Sequence, residues 1–219
     1  MRHPAAMTGK ALLAASALLL AHPAPAAGPE GRYRAVGEPD VASELILQPD
    51  GRFRYALAAG ALDERAEGRR TLRRGRLRLA TEPKPVAPVF SAGTAEKKNG
   101  GRLTIKVDWP DGSGIAGVDI AVGFDSGAPL EGYTQDYGWT MPARETRVPR
   151  WVRFAVPMHA LVSQRFPVDM EKANSLTFIL TPNDLGVVDF KDRTLSYEDG
   201  RIVMQGGEGH SLTYERVED

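Results

Sequence analysis

The chain contains no cysteine, which removes disulfides, thiolate metal ligands and cysteine nucleophiles at once. Histidine is nearly as scarce. Of the four present, His3 and His22 fall in a leader-like segment, leaving only His159 and His210 for a triad or an imidazole metal site. Zinc needs three or four ligands and calcium a fixed carboxylate spacing; neither His159 and His210 nor Asp111, Asp119 and Asp125 supplies one, so no metal and no cofactor is expected. Ser163 and Ser211 lack the surroundings of a nucleophile elbow, and no catalytic residue is assigned. An excess of either charge is missing too, with 28 Lys+Arg against 28 Asp+Glu, so bulk charge draws the chain neither to nucleic acid nor to an anionic membrane.

Long apolar runs are also absent. The run at 11–21 follows Arg2 and Lys10 and precedes the small-residue pattern Ala24-Pro25-Ala26. It is too short to span a bilayer and reads as an export signal cleaved after Ala26, with no cysteine beside the cut for a lipid anchor. The expected location is periplasmic or secreted, with no transmembrane span in the mature chain. The alternative is an uncleaved signal helix acting as an anchor. Without residues 1–26 the chain holds 26 basic and 28 acidic residues, a net charge of −2. Helical periodicity is lacking throughout, apart from one turn at 62–67.

What is present is alternation with a period of two. Leu45 and Leu47 alternate with polar residues up to the turn Pro49-Asp50-Gly51, and Phe53, Tyr55 and Leu57 alternate with Arg52 and Arg54 on the way back. A loop is expected at 60–68, then a third run into Arg74-Gly75, after which Leu77 and Leu79 alternate with Arg76 and Arg78. The stretch 82–88 holds three prolines, and 91–101 is small, polar and glycine-ended, which marks a domain junction. Beyond it, seven short strands are expected, among them 148–156, 165–170 and 175–181, at the spacing of a β-sandwich. Segments at 187–190, 194–197, 201–205 and 210–217 return to the texture of the first hairpins. The predicted fold is all-β: 27–90 and 183–219 form one discontinuous barrel of eight or nine strands, and 91–182 an inserted sandwich.

The pattern Leu45-x-Leu47-x-Pro49-Asp50-Gly51-Arg52-Phe53, followed by Gly60 and Gly68, resembles exported Gram-negative bacterial proteins with a lipocalin-like barrel portion. Gly68-Arg69-Arg70 lacks the tryptophan of that pattern, and Gly31-Arg32-Tyr33 carries tyrosine where lipocalins carry Gly-x-Trp. The likeness therefore implies an up-and-down barrel and no particular ligand. Residues 110–112, 115–120 and Gly132-Tyr133-Thr134 with Gly138-Trp139 resemble the transthyretin-like or carboxypeptidase-regulatory-like sandwich, which implies an accessory module of Ig-like architecture.

The functional expectation is a non-enzymatic binding or structural module of the cell envelope. In a carrier reading, Phe53, Tyr55, Leu57, Leu77, Leu79, Leu212 and Tyr214 line a cavity for a small apolar ligand. His210, which shares their parity, adds a polar contact. For surface recognition of an envelope protein or a glycan the candidates are Arg52, Arg54, Arg76 and Arg78, from a run with six arginines at 69–78, together with Tyr137 and Trp139 near a turn. The third reading is a hydrolase using Asp63 or Glu64. It is opposed by the arginines beside them, which keep such carboxylates ionised.

Overall fold

The structure is a computed structural model that describes residues 28–206 and 210–218. The proposed leader, with His3 and His22, lies outside the described residues. The first five strands are β1 (Gly31–Val36), β2 (Val41–Leu47), β3 (Arg52–Ala59), β4 (Leu62–Arg73) and β5 (Arg76–Thr81), joined as consecutive antiparallel neighbours. The segment 60–68, expected as a loop, is mostly strand. Its turn is Gly60-Ala61 alone, and charged residues fill β4 because alternate positions face water.

A second unit follows. It comprises β6 (Val89–Glu96), β7 (Thr104–Asp108), β8 (Asp119–Gly123), β9 (Leu130–Tyr133), β10 (Trp139–Thr140), β11 (Trp151–Val156), β12 (Leu161–Val162), β13 (Phe166–Pro167) and β14 (Ser175–Thr181). One sheet runs β10-β7-β14-β6 and the other β12-β11-β8-β9, with β13 on β11. Both contribute to one apolar cluster, in which Phe154 meets Phe90, Phe166 and Phe178 at ring separations of 5.3, 5.9 and 4.7 Å. The expected junction at 91–101 is shorter than composition suggests, since β6 already pairs with β14 from Val89 onward.

The chain then returns as β15 (Arg193–Glu198), β16 (Arg201–Gln205) and β17 (Ser211–Arg216). Tyr33 pairs with Arg216 and Leu77 with Leu195, so the two ends of the chain close one antiparallel barrel of eight strands. The alternation explains the closure. Tyr33, Leu45, Leu47, Phe53, Leu77, Leu79, Leu195, Ile202 and Tyr214 point inward and are buried, while Arg34, Arg54, Arg65, Glu67 and Arg78 point outward and are exposed. That is the reverse of the apolar-out pattern of a barrel that spans lipid. No helix among the described residues is long and apolar enough to cross a membrane.

β4 is twice as long as β5, and this positions the site. Residues 62–69 pair with β3 but only 68–73 pair with β5, leaving one edge of 62–67 open. The returning chain fills it: Arg65 N–H donates to the Gly186 carbonyl at 2.9 Å, and Val188 N–H to the Arg65 carbonyl at 2.9 Å. The strand expected at 187–190 is therefore a strap with a single bridge, Arg65 to Val187. Thr81 pins its far end, donating through its hydroxyl to the Val188 carbonyl at 2.8 Å and accepting from Phe190 N–H at 3.0 Å.

Candidate functional site

The interior of the barrel differs at its two ends. At the end where the chain enters, the side chains close it. Tyr33 donates its hydroxyl to the Pro29 carbonyl at 2.7 Å, and Arg70, inward on β4 with 7% of its side chain exposed, reaches Glu30 at 2.6 Å and the Gln48 carbonyl at 2.8 Å. Hydrogen bonding from its own backbone and from the Arg70 guanidinium holds the Glu30 carboxyl below its ordinary value. Arg70 therefore serves as a plug and does not join the surface arginines.

At the opposite end the barrel keeps a half-open mouth of about 550 Å³. Leu57, Leu212, Met204 and Phe190 form its apolar wall, and Tyr55, Glu64, Asp189, Lys191, Arg193 and Gln205 its polar part. Phe190 arrives on the strap and sits edge-on to Tyr55 at 5.1 Å and beside Phe53 at 6.0 Å. It divides the packed interior from the open mouth. Tyr55 donates to Glu64 Oε2 at 3.3 Å. Ser43 donates to the Ala56 carbonyl at 2.8 Å, so at 2.8 Å from Tyr214 Oη it must accept the tyrosine proton. Burial, followed by the neighbouring Tyr214 and Glu64, pushes the Tyr55 phenol well above its ordinary value; burial does the same to Tyr214. Both phenols are thus neutral hydrogen-bond donors across the physiological range. The chemistry on offer is an apolar wall with a carboxylate and a phenol converging at its floor, suited to a molecule with a greasy body and a hydrogen-bonding group.

Of the residues nominated from sequence, Tyr55, Leu57 and Leu212 line this mouth, whereas Phe53, Leu77, Leu79 and Tyr214 lie deeper as packed core. His210 is a correction. It precedes β17, outside the ladder that would orient it, and is exposed, with its carbonyl accepting from Gly206 N–H at 2.7 Å. Asp63 and Glu64 sit on opposite faces of β4, outward and inward, so they do not converge on a common point. Among the described residues no group of three or more acidic or histidine side chains could hold a metal. Met204 was legible from its alternation with Ile202. Phe190 and Lys191 carried no signal as mouth residues, because an irregular strap presents no period, and Arg193 enters the lining only as the first residue of β15, at the rim.

Two other surfaces matter. A cleft of about 550 Å³ lies outside the barrel wall, where Ile46, Ala56 and Val187 meet Pro83, Pro85, Arg54 and Asp184; it arises because both connections to the second unit cross β4 and its neighbours. On the second unit, Tyr137 is 81% and Tyr133 60% exposed. Trp139, nominated with Tyr137, is half-buried against the core, and a Cβ on Gly132 would come within 2.4 Å of its indole nitrogen. Asp119, Glu131 and Arg153 share the outer face with Tyr133, around a floor made by Ala121 and Ala155, forming a trough of about 500 Å³.

Comparison with protein-family models, with curated proteins and with solved structures finds no match for this chain.

Proposed function

We propose that the chain is an exported, non-enzymatic binding protein of the cell envelope whose barrel mouth takes a small apolar molecule bearing a polar group. The observation that carries this reading is the mouth itself. A barrel built only for stability would fill both ends as it fills the one sealed by Tyr33 and Arg70, yet Leu57, Leu212 and Met204 border open space beside Glu64. On this reading the barrel is lipocalin-like in architecture, the second unit is a transthyretin-like sandwich serving as an accessory module, and residues 1–26 are the cleaved signal that delivers it. A second reading is favoured by the exposure of Tyr133 and Tyr137: the trough beside them receives a glycan or an envelope protein, through aromatic faces flanked by carboxylates and Arg153.

The test of the mouth is titration with N-phenyl-1-naphthylamine, an apolar fluorophore. Saturable binding at one probe per chain, weakened about tenfold or more by Leu212→Arg, is the expected result. Absence of saturable binding, or equal binding by Leu212→Arg with an unchanged melting temperature, contradicts the proposal.

A further inference from the structure

The hairpin of β4 and β5 breaks two local rules at once, at Arg73 opposite Arg76 and at Arg74, and no side-chain hydrogen bond or ion pair of these arginines among the described residues compensates for them. Its register sets Arg73 directly opposite Arg76, and the β3 to β4 register sets Arg52 opposite Arg69. Like charges facing across an antiparallel pair destabilise it. At the turn, Arg74 holds a left-handed φ of 51° ahead of Gly75, a position where asparagine, aspartate or glycine would fit without that cost. Arg69 pairs with Glu82 at 2.9 Å. Arg52, Arg73, Arg74, Arg76 and Arg78 have no side-chain hydrogen bond or ion pair among the described residues. Acidic groups lie at the margins: Glu82 on Arg69, Glu67 opposite Arg54, Asp50 in the turn before Arg52, and Glu198 and Asp199 at the tip of the adjoining hairpin.

A chain of balanced charge has thus gathered five guanidinium groups without a side-chain partner among the described residues, Arg52, Arg73, Arg74, Arg76 and Arg78, at the barrel end remote from the mouth. Thr71 stands opposite Arg78 and Ser196 opposite Arg76, adding hydroxyl donors between them. Guanidinium presents paired donors that match two oxygens of one phosphate, and a cluster of such forks selects closely spaced phosphates over single anions. Local rules broken without structural return mark a functional surface. We infer that the β4–β5 hairpin face binds clustered phosphate groups, with Arg73, Arg76 and Arg78 as its centre. This inference is independent of the mouth and its ligand.

Clustered phosphates can come from a lipid surface or from a soluble polymer, and two arms separate the sources. In the first, the protein is sedimented with vesicles of phosphatidylcholine containing 30% phosphatidylglycerol, and with pure phosphatidylcholine, at about 0.15 M salt, where long-range attraction is screened. In the second, inorganic polyphosphate is titrated and followed by calorimetry. Binding in either arm, reduced tenfold or more by Arg76→Glu/Arg78→Glu and retained by Arg144→Glu on the second unit, is the expected result, and the positive arm names the source. Arg144→Glu makes a like change of charge sign at an exposed site away from the barrel. No binding in either arm, or equal loss in both variants, overturns the inference. Because Arg76 and Arg78 are exposed and unpaired, a thermal melt of the double variant within a few degrees of the parent confirms that folding is intact.

Discussion

Ser43 has one hydroxyl proton and two neighbours competing for it. It gives the proton to the Ala56 carbonyl and accepts from Tyr214, so Ser43→Ala strands a buried phenol. The expected cost is about 1–3 kcal/mol, seen as a lowered urea midpoint. Adding Tyr214→Phe should recover most of it, since removing both partners leaves nothing unsatisfied; a strictly additive double variant would contradict the pairing. Glu145 makes a second residue-scale case. Arg147 grips it with Nε and Nη2 at 2.9 and 2.6 Å while lying 3.9 Å over the Phe124 ring. The side-chain and backbone hydrogen bonds from Arg147 hold the carboxyl down at about 2, below its ordinary 4.5. A depressed carboxyl adds stability above its unfolded value and loses it as pH falls through the folded one. The parent and Glu145→Gln should therefore differ in urea midpoint near neutrality and converge between pH 4.5 and about 2; a constant difference down to pH 2 would show that the pair is idle.

The element that shapes the molecule is β4. Its length comes from a charged alternation that composition disguises as a loop, because five of the six side chains at 62–67 are either ionisable or small. Period-two patterns survive in sequence when the buried partner is large, as at Phe53, Tyr55, Leu77 and Leu79, and fade when it is Glu64, Ala66 or Gly68. Gly68 is small for a reason of packing: a Cβ there would lie 2.0 Å from the Ala80 carbonyl oxygen. Gly68→Ala should cost several kcal/mol, about 3 or more, or prevent folding, as judged by calorimetric melting. The segment at 187–190 was expected in the barrel, but its position as a strap was illegible for a different reason. Its place is set by an edge left over when β3 and β5 pair with opposite halves of β4, a tertiary consequence that no local window contains. Phe190→Ala should destabilise the barrel by about 3–5 kcal/mol and open the floor of the mouth, raising the number of naphthylamine probes bound or their affinity. An unchanged melting temperature would show that the strap is peripheral.

For the whole molecule, the sequence-level architecture holds where it rests on long-range logic: two distant segments with matching alternation needed each other to bury their inward faces, and β1 pairs with β17 as β5 pairs with β15. Closure leaves the barrel without an open edge. The candidate site was half visible. Tyr55, Leu57 and Leu212 followed from parity, but parity does not distinguish core from cavity, and it failed at His210, where the ladder had not yet begun. The same limit hid the difference between the plugged end and the open one, which depends on Arg70 turning inward among arginines that turn outward. The central claim, that the open mouth holds a ligand, is tested most directly by native mass spectrometry of protein purified from its own host. One small molecule per chain, released on denaturation and missing from Leu212→Arg prepared in parallel, is the expected result. A bare polypeptide mass for the parent, persisting after incubation with a small-molecule extract of the host, would contradict it.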